Sequence, residues 1–411
     1  MKKLIQRAQS KVCFAVCKNF GQYCLCLRRE LRPNGKKMQW MVIAAIFSFC
    51  GCPTAAAQET EQFSIATLNV DGLPQKLLVW NLNAEGPGSA GSARIGKYLV
   101  RKGYDLVMMQ EDFNYHDVLT VMLEDAYRMD EWSGDIGVED RNIDFLHLQN
   151  HRFACDGLMA CWKNDLMVTS VGRTPWLQNF GKFSHANDEM VTKGFRRYDV
   201  TLHSGARIVV YNMHMDATLD EDETEMNGEK DREARAAQWM QLKDEVLRNL
   251  DERPVVITGD MNSFYGRDDV KRIFIDAINE SGRGTAADVW VELQQRGVYP
   301  EFRVDNTDLS NIRNGESLDK IIYINPVSGM TIQPVSFSID IDGYRYDDRP
   351  LGDHYPVAAT FQVESSDNKV TGIEDKSLQD SEKSIYDLNG VRVSQPRNGV
   401  FIQNGNKTYV K

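Results

Sequence analysis

Residues that bind metal ions or carry protons stand where strongly apolar segments of this chain end. In the segment P-V-V-I-T-G-D-M-N at 254–262, four β-branched residues lead to Gly259, Asp260 and Asn262. An apolar run without alternation predicts a strand buried on both faces. Asp260 and Asn262 are two residues apart in extended chain, so their side chains point the same way. Such a pair suits an oxygen-liganded cation beside a phosphate oxygen, but Asp and Asn are also ordinary turn residues before a helix.

The same arrangement recurs along the chain, with a polar residue at the end of each apolar run. The residues in question are Asn69, Glu111, His214, Asp260, Asn262, Asp353 and His354. Any one of them alone is more often structural than functional, because strand ends are where polar residues belong. Taken together, their types indicate a site that binds a hard cation, moves a proton and holds a phosphate.

At 411 residues, the chain is long enough for one large α/β domain plus appendages. We expect strands near 63–69, 104–109, 157–162, 165–170, 207–214, 255–258, 320–325 and 357–363, and helices near 93–102, 114–127, 231–250 and 268–278. The strands near 157–162 and 165–170 are expected to pair with each other. The catalytic domain is predicted to span 58–363.

The two ends of the chain have a different composition from this domain. At 1–57, basic residues, a short apolar run and A-A-A predict an N-terminal extension with a signal peptide, the alternative being a membrane anchor. The polar segment 364–383 is typical of a linker. Residues 384–411 predict short strands with Asn-Gly turns, and this tail resembles the sorting tails of secreted Bacteroidetes proteins. We therefore expect a secreted or cell-surface protein, with the periplasm as an alternative.

The charge of the chain argues against nucleic acid as a partner. Residues 1–57 hold ten Lys or Arg and one Glu, so the remainder has 38 basic and 58 acidic side chains, a net charge of −20. Contacts to many phosphates require a basic surface. Beyond residue 57 only Cys155 and Cys161 remain, and either one bridge or two buried thiols fit this number.

The ordered motifs resemble those of the endonuclease/exonuclease/phosphatase superfamily. They are T-L-N-V at Asn69, M-Q-E-D at Glu111, D-G-L-M-A-C-W-K at Asp156, N-M-H at His214, G-D-M-N at Asp260, S-L-D-K-I at Asp319 and G-D-H-Y-P-V at His354. The resemblance runs from about 63 to 363. It implies a four-layer α/β sandwich of two packed mixed sheets flanked by helices, to which this chain adds a short C-terminal β tail.

The resemblance also implies a role for each residue. Glu111 would be the principal Mg²⁺ ligand, with Asn69 beside it, and Mn²⁺ or Co²⁺ are alternatives to Mg²⁺. Asp260 and Asn262 would orient the attacking water and hold a phosphate oxygen. The implied general base is His354, with Asp319 or Asp353 fixing its tautomer, and His214 would contact the phosphate.

One further motif points to a substrate. The segment D-E-M-V-T-K-G-F at 188–195 resembles the segment of bacterial sphingomyelinase C enzymes that ends in K-G-F, so Lys193 would add positive charge near the phosphate. We expect a monomeric Mg²⁺-dependent phosphodiesterase that hydrolyses sphingomyelin or a related phospholipid to phosphocholine and ceramide. Two interpretations fit the aromatic residues Trp176, Phe180 and Phe183: they contact a membrane, or they pack within the protein. The alternatives are a nuclease, a sugar or inositol-phosphate phosphatase, or a non-catalytic binding module on the same scaffold.

Overall fold

The structure is a computed structural model of the chain. It describes residues 61–77, 80–81, 83–133, 155–181, 188–189, 191–218, 225–306 and 310–364, together with four short strands of the tail. The predicted signal region 1–57 and linker 364–383 lie outside the described residues, except for Glu364. Phe183 is also outside them. Within the described part, no helix is long and apolar enough to cross a membrane.

The described chain consists mainly of strands. In chain order they are β1 (Gln62–Asn69), β2 (Lys76–Leu77), β3 (Trp80–Asn81), β4 (Leu106–Gln110), β5 (Tyr127–Met129), β6 (Met159–Lys163), β7 (Met167–Pro175), β8 (Gly194–Thr201), β9 (Arg207–His214), β10 (Val255–Asp260), β11 (Gly284–Asp288), β12 (Ile312–Arg313), β13 (Glu316–Ser317), β14 (Asp319–Pro326), β15 (Thr331–Ile339), β16 (Arg345–Tyr346), β17 (Arg349–Pro350), β18 (Val357–Glu364), β19 (Ile385–Tyr386), β20 (Arg392–Val393), β21 (Gly399–Gln403) and β22 (Asn406–Val410).

Helices occupy fewer residues. They are α1 (Gly88–Lys102), α2 (His116–Leu123), α3 (Glu225–Asn249), a π-helical segment (Lys271–Asp276) that continues into α4 (Ala277–Glu280), and α5 (Val289–Gln294). Helix α1 begins five residues before the predicted start, and α2 is shorter than predicted because its chain turns into β5.

Two sheets of six strands each form the centre of the domain. Sheet 1 has the order β15-β18-β1-β4-β6-β5, and sheet 2 has the order β11-β14-β10-β9-β8-β7. Each sheet is antiparallel except for one central parallel pair, β1 with β4 and β9 with β10. Both sheets are therefore mixed, as the resemblance implied.

The central strands of each sheet are buried on both faces, which explains their unbroken apolar runs, whereas the edge strand β7 is largely exposed. In β9, Ile208 and Val210 join residues of both sheets in a central core, whereas Val209 and Tyr211 pack in a second core that includes residues of α3. A third core lies on the other side of sheet 1 and includes residues of α1 and α2. The layers are thus helix, sheet, sheet and helix, and the predicted four-layer sandwich is confirmed.

One predicted pairing is wrong. Strands β6 and β7 follow each other closely, yet β6 pairs with β4 and β5 in sheet 1, whereas β7 pairs with β8 in sheet 2. The turn between them, where the Leu166 amide donates to the Lys163 carbonyl at 3.1 Å, carries the chain from one sheet to the other. Cys155 and Cys161 are both free and buried, so the alternative of two buried thiols holds and that of a disulfide bridge does not.

The tail has a small sheet of its own, in the order β20-β19-β21-β22. Strands β21 and β22 form a hairpin with Gln403 opposite Asn406. The predicted short strands are thus present in the tail, whereas the predicted Asn-Gly turns at 389–390 and 404–405 lie outside the described residues.

Candidate active site

The carboxyl ends of the two central parallel pairs bring polar side chains from both sheets together. Asn69 ends β1 and Glu111 follows β4 directly. The Asn69 Nδ2 group donates to Glu111 Oε1 and to Asp260 Oδ2, both at 3.0 Å. A single amide therefore links a carboxylate of sheet 1 to a carboxylate of sheet 2.

The Asn69 amide is oriented by a second contact. Its Oδ1 accepts a hydrogen bond from the Asp71 backbone N–H at 2.9 Å, which places the donor side of the amide toward Glu111 and Asp260. In this orientation Asn69 bridges two carboxylates and does not present its oxygen to a cation beside Glu111. Metal ligation by the Asn69 oxygen, as the resemblance implied, would require the amide to turn and the Asp71 N–H to lose its acceptor.

The backbone at Glu111 adopts an unusual conformation. Its φ is 57°, in the left-handed region that non-glycine residues rarely occupy. The Glu111 carbonyl accepts from the backbone N–H groups of Gly72 at 3.1 Å and Phe113 at 2.9 Å. A Cβ at Gly72 would lie 2.2 Å from this carbonyl oxygen, so only glycine permits the approach.

On sheet 2, His214 and Asp260 are register partners at the ends of β9 and β10. Their side chains are buried, and His214 Nε2 lies 3.4 Å from Asp260 Oδ2 and 4.0 Å from Glu111 Oε1. Asn262 has a φ of 45°, and its Nδ2 donates to the Met215 carbonyl at 3.1 Å. These residues form the buried wall of the site.

His354 reaches the same place from the segment before β18. Its Nδ1 lies 2.7 Å from Asp319 Oδ2, and its Nε2 lies 3.7 Å from Asp260 Oδ2. The Asp319 contact places the proton on Nδ1, so Nε2 faces the site. Of the two carboxylates predicted for this purpose, Asp319 makes the contact. Asp353 is exposed, and its carbonyl accepts from Asn311 Nδ2 at 2.6 Å.

The charges of this cluster shift its titration in opposite directions. Burial opposes the charged form of His354, but the carboxylates of Asp319 and Asp260 outweigh it and raise the pKa of His354 well above its ordinary value. For Asp260, burial favours the neutral acid, but His354 and His214 outweigh this and hold the pKa of Asp260 far below its usual range. These charges therefore favour the carboxylate form of Asp260 and the imidazolium form of His354.

Sequence reasoning missed Asp71. This residue is buried, has a φ of 50° and is paired with the Asn83 amide. Burial and the nearby charges of Asp353 and Glu111 raise the pKa of Asp71 to about 8. The sequence did contain a signal for Asp71 as a site residue, since it stands two residues after Asn69, where a strand ends.

Two groups of side chains in the site could hold a divalent cation, and they differ in how well they fit one. Burial first, and then the nearby charges of Asp353 and Glu111, raise the pKa of Asp71, and a cation beside these carboxylates would favour their charged forms. Asp260, Asp319 and His354 also offer ligand atoms within 4.8 Å of one another. Asp260, however, is already compensated by two imidazoles, and Asp319 is bonded to His354. The side of the site around Glu111 therefore fits a hard cation better.

Lys193 lies in the buried wall rather than free in the cleft. Its ammonium forms an ion pair with Asp188, and its Nζ is 3.4 Å from the Met215 carbonyl. Burial lowers the pKa of Lys193, but the charges of Asp188 and Glu111 outweigh this and raise it. Lys193 and Asn262 thus meet at one carbonyl group.

Two amide side chains that sequence reasoning did not single out connect the sheets just beneath the site. Gln110 Nε2 donates to Asn212 Oδ1 at 2.7 Å, and Asn212 Nδ2 donates to the carbonyls of Met109 and Met159 at 3.0 Å each. Trp176 is also part of this region. It is 1 % exposed and its Nε1 donates to the His214 carbonyl at 2.6 Å, so it packs and is not available to a membrane.

Comparisons with known proteins give similar folds. No family model and no curated protein matches this chain. Among solved structures, it is similar to sphingomyelinase C from Streptomyces griseocarneus, at 17% identity and a TM-score of 0.46, with 73% of this chain and 99% of that chain covered. It is likewise similar to beta toxin from Staphylococcus aureus, at 17% identity and a TM-score of 0.44, with coverage of 72% and 99%.

The third example is TDP2 from D. rerio complexed with a single strand DNA product, at 17% identity and a TM-score of 0.46, with coverage of 73% and 98%. All three belong to the endonuclease/exonuclease/phosphatase superfamily. At these identities the similarity concerns the fold alone.

Proposed function

We propose that this protein is a divalent-metal-dependent phosphoric diester hydrolase. The observation that carries the proposal is the arrangement across the two sheets, in which Asn69 joins Glu111 to Asp260 while His354, held by Asp319, faces Asp260. This set combines a carboxylate side for a cation, a buried imidazole for proton transfer and amide donors for phosphate oxygens.

In the proposed reaction, water attacks the phosphorus atom in line with the leaving group. The water proton passes to His354 Nε2, the phosphorus–oxygen bond to the leaving group breaks, the released alkoxide takes up a proton from solvent, and His354 then returns its proton to solvent. In this scheme the Asn262 amide and His214 would contact the phosphate oxygens. A cation held by Glu111 would supply Lewis-acid polarisation of the phosphoryl group.

The raised pKa of His354 constrains this scheme. An imidazolium cannot accept a proton, so His354 must first lose the proton that Asp319 and Asp260 favour. Positive charge beside Glu111 and Asp260 would oppose the imidazolium and lower the pKa of His354. We therefore expect His354 to become a base only in the metal-loaded protein.

We further propose sphingomyelin or a related phospholipid as the substrate, with phosphocholine and ceramide as products. The K-G-F segment supports this substrate, and the net charge of −20 beyond residue 57 speaks against a polyanionic one. We propose Mg²⁺ as the metal and export of the protein by the region at 1–57.

A substrate panel tests these proposals. The purified protein, with Mg²⁺ and with chelator, is assayed against sphingomyelin micelles, phosphatidylcholine micelles, plasmid DNA and a sugar phosphate. Metal-dependent release of phosphocholine from sphingomyelin is the expected result. Faster cleavage of plasmid or sugar phosphate would overturn the lipid substrate, and no metal-dependent turnover on any of them would overturn the hydrolase.

A further inference from the structure

A group of buried charged side chains lies behind the loops that follow β9 and β10. Arg235, from α3, donates from Nε to Asp268 Oδ1 at 3.0 Å, and Arg267 donates from Nε to Asp268 Oδ2 at 3.0 Å. All three residues are at most 5% exposed. Buried ion pairs give little net stability for their desolvation cost, but they fix direction and register.

The two arginines also contact the backbone of the site loops. Arg267 Nη2 donates to the Asn262 carbonyl. Arg235 Nη1 donates to the Asp216 carbonyl at 3.1 Å and to Thr218 Oγ1 at 2.7 Å. The group Arg235, Asp268 and Arg267, which we call the arginine clamp, therefore connects the loop after His214 to the loop after Asp260.

Asn262 is the residue that needs such support. Its left-handed φ of 45° is uncommon outside glycine, although asparagine adopts it more readily than most residues, and it sets the direction in which the side-chain amide points. The Asn262 Nδ2 group donates to the carbonyl of Met215, the residue before Asp216. The same two loops are thus joined once through the Asn262 side chain and once through the arginine clamp.

We propose that the arginine clamp is a positioning device that holds the Asn262 amide at the phosphate side of the site. The members of the clamp are positioning residues, since they act through the Asn262 and Asp216 carbonyls. The kinetic consequence rests on the proposed function, because it assumes that the amide contacts a phosphate oxygen in the transition state.

The kinetic test replaces Asp268 by Asn, which keeps the shape and removes the charge shared by the arginines. The matched control is Asp269→Asn, the next residue, whose carboxylate forms a surface pair with Arg272 at 2.6 Å. With Mg²⁺ and sphingomyelin micelles, we expect Asp268→Asn to lower kcat roughly 10-fold with KM within about twofold, because misplacement affects the transition state most. Asp269→Asn should leave both constants unchanged.

A double variant asks whether the clamp acts through Asn262. In the Asn262→Ala background, adding Asp268→Asn should lower kcat by less than about twofold, since coupled residues are not additive. A full additional 10-fold loss in that background would overturn the proposal. If Asp268→Asn does not fold, Arg267→Lys serves instead, because lysine keeps the charge but cannot bind Asp268 and the Asn262 carbonyl with the same fork of donors.

A second readout does not depend on turnover. In protein labelled with ¹⁵N-asparagine, the side-chain amide signal of Asn262 is assigned by its loss in Asn262→Ala. We expect this signal to shift and to exchange faster with solvent in Asp268→Asn but not in Asp269→Asn. If the wild type hydrolyses no phosphodiester, the proposed function fails, but the amide signal still shows whether the arginine clamp positions Asn262. An unmoved Asn262 signal in folded Asp268→Asn would overturn the clamp.

Discussion

The strand ends of sheet 1 and those of sheet 2 hold their polar side chains in different ways. On sheet 1, the side chain of Glu111 is 20% exposed. The Glu111 backbone is held by hydrogen bonds from the N–H groups of Gly72 and Phe113. On sheet 2, the side chains of His214 and Asp260 are at most 2% exposed and contact each other. One half is open and held through the backbone, whereas the other is enclosed and held through paired charges.

In the proposed reaction, this difference separates cation binding from proton transfer. An exposed carboxylate among other carboxylates can exchange a cation and its waters with solvent. An enclosed cluster of imidazoles and carboxylates shifts pKa values strongly, because charges interact more in a less polar environment. The comparison therefore teaches that the cation side and the proton side of the site should respond differently to substitution.

The largest effect is expected from the two residues that carry these tasks. His354→Ala and Glu111→Ala should each lower kcat by on the order of 10³-fold or more while the fold is kept. Only in the Glu111 variant should raising the Mg²⁺ concentration recover part of the activity. Steady-state kinetics over a Mg²⁺ series, with circular dichroism for folding, checks this. Full activity in either variant would remove that residue from the site.

The next effect concerns the carboxylate that orients His354. Asp319→Asn should lower kcat on the order of 10²-fold. Because a neutral amide no longer favours the imidazolium, the pKa of His354 falls. The rising limb of the pH profile, which reports loss of the His354 proton, should then move to lower pH. A limb that does not move would show that another group titrates.

The same raised pKa predicts that the stability contributed by His354, unlike the activity, decreases as the pH rises. In metal-free protein, the raised pKa of His354 stabilises the fold fully below the unfolded pKa of about 6.5, and this contribution is lost as pH rises through the folded pKa. The stability advantage of the wild type over Asp319→Asn should therefore be larger at low pH than at high pH. Urea unfolding at a series of pH values measures it, and an advantage that grows with pH would contradict the charge pairing.

A smaller effect is expected from a substitution at Gly72, whose backbone N–H group holds the Glu111 carbonyl. Gly72→Ala brings a Cβ against the Glu111 carbonyl and should cost about 1–3 kcal/mol of stability or displace Glu111. We expect a weaker apparent Mg²⁺ affinity with an unchanged pH profile. Gly205→Ala is a control for substitution at an exposed glycine, although its own positive φ of 86° adds strain that must be subtracted. Unchanged Mg²⁺ affinity in Gly72→Ala would show that Glu111 does not depend on this contact.

The smallest effect is expected at Lys193. Lys193→Ala should lower turnover of sphingomyelin by about 10-fold or less, because its charge is shared with Asp188 and only part of it acts on the phosphate. Lys163→Ala, which removes a half-exposed lysine paired with Asp105, is the matched control. An unchanged rate in Lys193→Ala would remove the substrate argument built on K-G-F.

Much of the fold was accessible from the sequence because buried strands in this chain are short β-branched runs with polar ends. Strand β9 begins and ends at the residues that the pattern predicted, Arg207 and His214. The pairing of β6 with β7 was wrong because local patterns do not specify which sheet a strand joins. That choice is made by long-range contacts, such as Met108 opposite Ala160.

The site was predictable as a set of residue types but not as a geometry. Asp319 and Asp353 are both carboxylates near His354 in the motifs, and only the pairing of Asp319 with Asp260 across β10 and β14 brings Asp319 to the imidazole. The contact between Arg235 and Asp268 joins residues 33 positions apart, and no periodicity in the sequence signals it.

The amide bridge of Gln110 and Asn212 has a consequence for how the molecule assembles. These side chains are 102 positions apart and come from different sheets. A buried amide that has lost water without gaining its partner is costly, and the Asn212 amide bonds to Gln110, Met109 and Met159 of sheet 1, so sheet 2 cannot bury Asn212 alone. Docking of the sheets and formation of the candidate site should therefore be one cooperative event, and a partly folded chain would not yet bring Glu111 and His354 together.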